Sequence, residues 1–413
     1  MKKILPTLMT ISAIAILVVA GYYFRSRQNA PVSQPDQTAG LPASADQTGQ
    51  ASATQTVSQG QQTTQAAVSK LISVSQGQAL DFFVDKGSNV SMIQPDGKIV
   101  KISGGSKAES VSSGPVSNIT NASFSFDGKK VLAIISGTRL QVFNMDNNTW
   151  KTYDYSYDVR SAAWAPDSHK IAFLSYGTGA GLYILDTDSV NAKPVLQAKL
   201  RQEDMSLDWV YSSRIFLSDA ASANWKSSLW SFDITRKTLS PILLDKPGLE
   251  TAWSSSTSQT GIALISGSNG QGGQLQLIDQ NGNQTQALNF LTLPTKCTFY
   301  DKPIQVSGAS TSTTATTTQL KASSAPKTKL TMVCGVPRDA QPLMSNPLPD
   351  AYQKKSFFTS DNIFEIDISS GDINTVFNDA TKNIDSSDVK VFNQSVFFIN
   401  RFDQKIYSVQ LPK

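Results

Sequence analysis

An aromatic residue recurs along this chain at nearly constant spacing. Phe124, Trp164, Trp209, Trp253 and Phe299 follow one another at intervals of 40, 45, 44 and 46 residues. Around each the same phrase returns: an aromatic near the end of one apolar stretch, a polar turn, a second apolar stretch, and a third that often ends in Asp. It reads "ASFSFDGKKVLAIIS" from Ala122, "AAWAPDSHKIAFLS" from Ala162, "LDWVYSSRIFLSD" from Leu207 and "TAWSSSTSQTGIALIS" from Thr251, with "CTFYDK" from Cys297 and "VKVFNQSVFFIN" from Val389 opening two more units. These stretches are short, rich in Val, Ile, Phe, Tyr and Trp, and broken by Gly, Asp, Ser and Asn, which is the chemistry of strands. A period of roughly 40–45 residues is that of a four-stranded propeller blade. One blade cannot bury both of its faces, so stacking in a ring supplies the core and limits free edges. The sequence therefore predicts an all-β fold, a β-propeller of about seven four-stranded blades.

Closing such a ring needs its two ends to meet. The last unit ends in three strands, and "KLISVS" (70–75) is a lone apolar stretch far upstream. Pairing 71–75 with 404–411 gives the last blade its outer strand and defines a propeller domain over 70–413. With 79–103 as the first blade the count is seven; the same pattern admits a ring of six or eight.

Ahead of the propeller the composition changes twice. Residues 4–24, "ILPTLMTISAIAILVVAGYYF", are uncharged and about as long as a helix needs to cross a bilayer. Lys2 and Lys3 precede the run, and Tyr22, Tyr23, Arg25 and Arg27 follow it like an interfacial belt. The expectation is a single transmembrane anchor over 1–27 in contact with the lipid bilayer; the competing reading is a cleaved signal peptide. Residues 28–69 are Gln, Ser, Thr and Ala with almost no large apolar side chain, the composition of a disordered tether. This layout predicts a single-pass protein of the cell membrane with its C-terminal body outside the cytoplasm. Of the +4 net charge, from 36 basic and 32 acidic residues, the body carries only +2. It has no basic run interleaved with aromatics, so nucleic acid is not an expected partner.

"FSFDGKKVLAI" (124–134) and "WAPDSHKIAFL" (164–174) resemble the repeat of TolB-type, WD-like propellers: an aromatic, Ser or Ala, Pro-Asp-Gly, a basic pair, then an apolar strand. The two blades carry the motif well, and those from Leu207 onward have lost Pro-Asp-Gly. The resemblance implies the propeller fold and an exported location, as in membrane-tethered bacterial surface proteins, and carries no catalytic residue to any position here.

No motif points to chemistry. His169, the one histidine, sits in the Pro-Asp turn, where Pro166 presets φ and Asp167 closes the turn through its side chain. "GSNGQGG" (267–273) lies between strands with no following helix, which suits a hairpin and not a phosphate cradle. Asp186, Asp233, Asp279 and Asp367 recur at strand ends and read as turn residues. No catalytic, cofactor or metal set is expected. Cys297 and Cys334 fall on the first two strands of the sixth unit, nearly opposite if Phe299 faces Met332. They would form a cross-strand disulfide in an oxidising compartment or remain two buried thiols. The same unit carries an insertion over 301–360, whose Ser/Thr/Ala part (306–328) has the composition of disorder. Its second part, with Pro337, Pro342, Pro347 and Pro349 around Leu348, Tyr352, Phe357 and Phe358, is a candidate partner-binding loop; a plain cap on its own blade is the alternative. Two functions stay open: a non-catalytic binding or scaffold protein for a protein or cell-envelope partner, or a propeller glycosidase or lyase with carboxylates at the central channel.

Overall fold

The computed structural model describes residues 70–412 apart from 105–106, 113–115, 154–157, 178, 201–203, 256–257, 268 and 305–327. The expected anchor (1–27) and tether (28–69) therefore lie outside the described residues, as does nearly all of 306–328. Among the described residues no helix is long and apolar enough to cross a membrane.

The described chain forms seven separate antiparallel sheets of four strands each. Six are consecutive in sequence: blade 1 spans 81–110, blade 2 119–153, blade 3 158–199, blade 4 205–247, blade 5 250–287 and blade 6 297–377. The first strands of successive blades touch one another, as in blades 1 and 2, 3 and 4, and 6 and 7, so they are the innermost strands around a common axis. This is a seven-bladed β-propeller. Blade 1 runs past the expected 79–103, because Lys107–Ser110 supplies its outer strand.

Blade 7 is built from both ends of the domain. Ser386–Phe392, Ser395–Asn400 and Lys405–Gln410 supply three strands, and Ile72–Ser73 adds the fourth, with Ile72 opposite Ser408 and Ser73 opposite Tyr407. Only two residues pair in the ladder, and bonds from the next two residues, Val74 and Ser75, extend the seam. The Ile406 amide donates to Ser75 Oγ at 2.9 Å, the Val74 amide donates to the Ile406 carbonyl at 2.9 Å, and Ser75 itself is buried.

Second strands read as unbroken apolar runs because both their faces are covered. Lys130–Ile135 is buried throughout, and in Lys170–Tyr176 only the first residue is exposed. The core lies between blades as a series of clusters: Leu132, Ile134 and Val142 of blade 2 pack against Trp164, Ile171 and Phe173 of blade 3. Truncating a fully buried ring such as Phe173 to Ala would cost roughly 3–5 kcal/mol. The repeated aromatic is therefore an inter-blade wedge; Trp164 also reaches back to donate from Nε1 to the Ser123 carbonyl of blade 2 at 3.0 Å.

The motif turn, Phe126-Asp127-Gly128 in blade 2 and Pro166-Asp167-Ser168 in blade 3, joins the first and second strands. Asp127 Oδ1 accepts the Lys129 amide at 3.1 Å, and Gly128 adopts φ +71° where any Cβ would strike the Phe83 ring of blade 1. The strand-ending aspartates close turns in the same way: Asp186 accepts the Asp188 amide, Asp233 those of Thr235 and Arg236, Asp279 those of Asn281 and Asn283, and Asp367 those of Ser369 and Ser370.

The insertion drawn over 301–360 is not one excursion. Strand Thr328–Pro337 divides it and is the second strand of blade 6. The second part then makes two short helices, Gln341–Ser345 and Asp350–Gln353, before strand Asp361–Asp367.

Candidate functional site

The segment between Pro337 and Asp361 connects the second and third strands of blade 6, and in an antiparallel sheet every such connection leaves from the same face of the ring. It crosses that face as a strap. On blade 4, Asp350 accepts from Ser222 Oγ at 3.0 Å and from the Ala223 amide at 2.5 Å. On blade 5, Pro347 pairs with Gln271, the Leu348 amide donates to the Gly270 carbonyl, and Ser266 Oγ donates to the Leu348 carbonyl at 2.6 Å. The crossing is close enough that Gly248, at φ +55°, has no room for a Cβ against Ser266 and the Leu348 carbonyl. On blade 7, Arg401 donates to the Tyr352 carbonyl at 2.6 Å.

The four residues expected to meet a partner divide accordingly. Leu348 is fully buried and Tyr352 nearly so, in a core cluster with Leu293, Met332 and Leu343, and Phe357 packs against the same cluster. The apolar area of Leu348 and Tyr352 holds the strap down, as a cap on its own blade would, and Phe357 is partly buried beside them. Phe358 alone is exposed, at 38%, with its ring stacked on Phe402 of blade 7 at 5.1 Å. The same face exposes Met344 on the strap and, at 74%, Trp225 in the blade 4 loop that Asp350 fastens.

Beneath the strap lies a charged knot with no counterpart in the sequence reading. Lys296, in the 3-10 turn Pro294–Lys296 that enters blade 6, is completely buried. Its Nζ lies 2.7 Å from Asp361 Oδ2, 2.6 Å from Asp385 Oδ1 and 2.6 Å from Thr359 Oγ1. Arg401 Nη1 pairs with Asp385 Oδ2 at 2.7 Å, and the Tyr352 hydroxyl donates to Asp385 Oδ1 at 2.7 Å while the guanidinium stacks on the Tyr352 ring at 3.6 Å. Two cations meet two carboxylates, so the knot is neutral. Burial opposes ionisation of Asp385, but Lys296, Tyr352 and Arg401 outweigh it and hold the carboxyl below its ordinary range. Burial, with Asp385 beside it, pushes the Tyr352 phenol well above its usual value.

Cys297 and Cys334 face each other in register, as do Phe299 and Met332, and the sulfurs are bonded at 2.10 Å. His169 spans two blades: Nε2 lies 3.1 Å from Asp127 Oδ1 in the equivalent turn of blade 2, and Nδ1 2.9 Å from Asp188 Oδ2. Lys130 also reaches Asp188, at 2.5 Å. Burial works against ionised Asp127, yet the Lys129 amide, His169 and Ser125 keep its carboxyl below the ordinary range. Asp188 is lowered in the same sense, with Lys130 and His169 outweighing burial.

The innermost strands carry a second charged group. Lys390 of blade 7 lies 2.5 Å from Asp81 of blade 1 and 3.2 Å from Asp388, and Asp81 in turn accepts the Phe124 amide of blade 2 at 2.7 Å. Asp388 sits at an irregularity in the first-strand pairing with φ +49°. Burial pushes it up to about 7, with Lys390 pulling the other way and Asp81 adding to the rise. Asp208 of blade 4 is raised in the same direction by the protein crowded around it, although its side chain remains open to solvent. Blades 4 and 7 stand apart in the ring, so these carboxyls belong to different sectors of the inner wall. Among the described residues no group of three or more His, Cys, Asp or Glu is placed to hold a metal.

No family model matches this chain, and no curated protein matches it. Among solved structures it is similar to the tricorn protease, at 11% identity and a TM-score of 0.48, over 83% of this chain and 34% of that one. It is similar also to the Cps50 (Swd1) beta-propeller domain of Myceliophteria thermophila, at 9% identity and a TM-score of 0.48, over 83% and 99%. The chain thus spans about a third of the length of the first of these.

Proposed function

We propose that this protein is a membrane-tethered, extracytoplasmic propeller that acts as a non-catalytic binding or scaffold protein for a protein or cell-envelope partner. One observation carries the reading: the strap fastens the same-side loops of blades 4, 5 and 7 to blade 6, giving a rigid face on which Trp225, Met344 and the Phe358–Phe402 pair remain exposed. Rigid presentation of aromatic side chains is what a recognition surface needs, because little entropy is lost when it is covered. The Cys297–Cys334 bond supports an oxidising compartment. The uncharged run 4–24 and the TolB-type, WD-like repeat support an anchor and an envelope location.

The test is capture of partners from the organism's own envelope fraction by the full chain, by Trp225→Ala with Phe358→Ala, and by Val190→Ser, which alters an exposed apolar residue elsewhere. The double variant should lose the partner and the Val190 variant keep it; equal capture by all three removes the strap face from the proposal. Deleting residues 1–27 should release the body from membranes, and sedimentation that survives a high-salt wash would overturn the single anchor.

The second reading, a glycosidase or lyase, draws its support from the position of Asp208 and Asp388 on the innermost strands, where each carboxyl is raised above its ordinary range. Turnover of envelope polysaccharide that disappears in Asp208→Asn or Asp388→Asn would favour it over the scaffold.

A further inference from the structure

The buried knot has the makings of a covalent bond. Lys296, Asp361 and Asp385 are each 0% exposed. Among the described residues the other buried lysine, Lys130, pairs instead with Asp188, whose side chain is 59% exposed, so water reaches that contact. We propose that Lys296 and Asp361 condense spontaneously into an intramolecular isopeptide bond that joins the entry of blade 6 to its third strand beneath the strap.

The geometry supplies each part of the reaction. A bond forms between Lys296 Nζ and Asp361 Cγ, and one Cγ–O bond of the carboxylate breaks. The ammonium gives up two protons, the departing oxygen takes both and leaves as water, and the charges of the pair cancel, so no co-reactant is required. Asp385 Oδ1, 2.6 Å from Nζ, is placed to relay the first proton through the Thr359 hydroxyl to Asp361, so that a neutral amine faces a neutral carboxyl and Asp385 ends the step ionised. Thr359 Oγ1 stands 2.6 Å from Nζ and 2.8 Å from Asp361 Oδ1, so it bridges the nitrogen to the oxygen that leaves. The Ser386 amide donates to Asp361 Oδ2 at 2.8 Å and its hydroxyl at 2.9 Å, a pair of donors for the oxyanion of the tetrahedral intermediate.

The charge balance favours the product. Burying ions is costly even when they are paired. Condensation removes one cation and one anion from a site without solvent and leaves Asp385 with Arg401, a matched pair at 2.7 Å. Excluded water also opposes the reverse hydrolysis.

Mass spectrometry of the full chain, reduced and alkylated, decides it. The expected mass is that of the sequence less one water, with no tryptic cleavage after Lys296 and a branched peptide joining Lys296 to Asp361. Asp361→Ala should restore the missing mass, and so should Lys296→Met. The wild-type measurement needs neither variant to fold. An intact mass equal to the sequence, with ordinary cleavage after Lys296, overturns the proposal, and so does a branch to Asp385, which would make that residue the acyl group.

Discussion

Blades 2 and 3 on one side and blade 6 on the other reach the same four-stranded sheet by different means. In blades 2 and 3 the instructions are local: a turn motif, an aromatic wedge and an apolar second strand, with Asp127, His169 and Asp188 pinning one turn to the next at the partly exposed rim. Blade 6 has lost the motif and is held by contacts between residues far apart in sequence: Cys297 to Cys334, Lys296 to Asp361 and Asp385, Arg401 to Tyr352. Where a repeat decays, long-range polar and covalent links take over what the turn chemistry had done. The two regions should therefore respond very differently to the removal of a single group.

The largest effect is expected at the knot. Asp385→Ala would leave Arg401 without its buried carboxylate, and breaking a buried ion pair costs about 3–5 kcal/mol. Urea unfolding should show the unfolding free energy falling by that amount, as a lower midpoint at unchanged slope; an unchanged midpoint would make the knot dispensable and erase the contrast. Next comes the disulfide. With the cysteines 37 positions apart, the chain-entropy model gives about 4 kcal/mol of stabilisation, so melting with and without reductant should differ by several degrees.

A third probe uses pH. Glu250, at the start of the innermost strand of blade 5, is raised to about 7 by burial, with Thr295 offsetting only part of it. The folded state then holds its proton more tightly than the unfolded chain does, so stability falls as pH rises from the ordinary glutamate range to about 7 and is level above. Glu250→Gln removes that penalty: it should stabilise the protein by roughly 3 kcal/mol at pH 8 and by little at pH 4.5. Parallel melting curves for the two proteins across that range would contradict the assignment.

The smallest effect belongs to the regular blades. His169→Ala removes a staple one of whose partners, Asp188, has a side chain 59% exposed, and such pairs are worth about 1 kcal/mol or less. What does remain there should fade with acid, because Asp127 and Asp188 are held below their ordinary range; that stability is present above the unfolded value and is lost as pH falls through the folded one. A loss at His169 as large as that at Asp385 would mean that the rim is not the weaker seam.

The same contrast explains what could be read from the chain. The period of Phe124, Trp164, Trp209 and Trp253 announces the blades, since each anchor performs the same packing task at the same place. Asp186, Asp233, Asp279 and Asp367 could be assigned to turns because an aspartate two residues before an amide it can accept is a local fact. The knot could not be seen. Lys296, Asp361 and Asp385 are separated by 65 and 24 positions and share no motif, so nothing short of the folded strap brings them together. The burial of Leu348 and Tyr352 was hidden for a related reason: an apolar residue in a long proline-rich loop looks the same whether it meets a partner or its own core. The hint available was the count of such residues, more than an exposed loop needs. Asp208 and Asp388 were passed over because they break no pattern; only the crowding of the inner wall sets them apart.

The bond between Cys297 and Cys334 also changes what a protease can accomplish. The strands Cys297–Pro303 and Thr328–Pro337 that it joins bracket the long segment between them. A cut anywhere in that segment divides the chain into two polypeptides, yet they stay covalently one molecule, with each new end leaving a strand that is still paired. The nicked protein would run as a single species until reductant is added. At this site a severed backbone is not a lost domain, and the longest interruption of the ring can be clipped without releasing a blade.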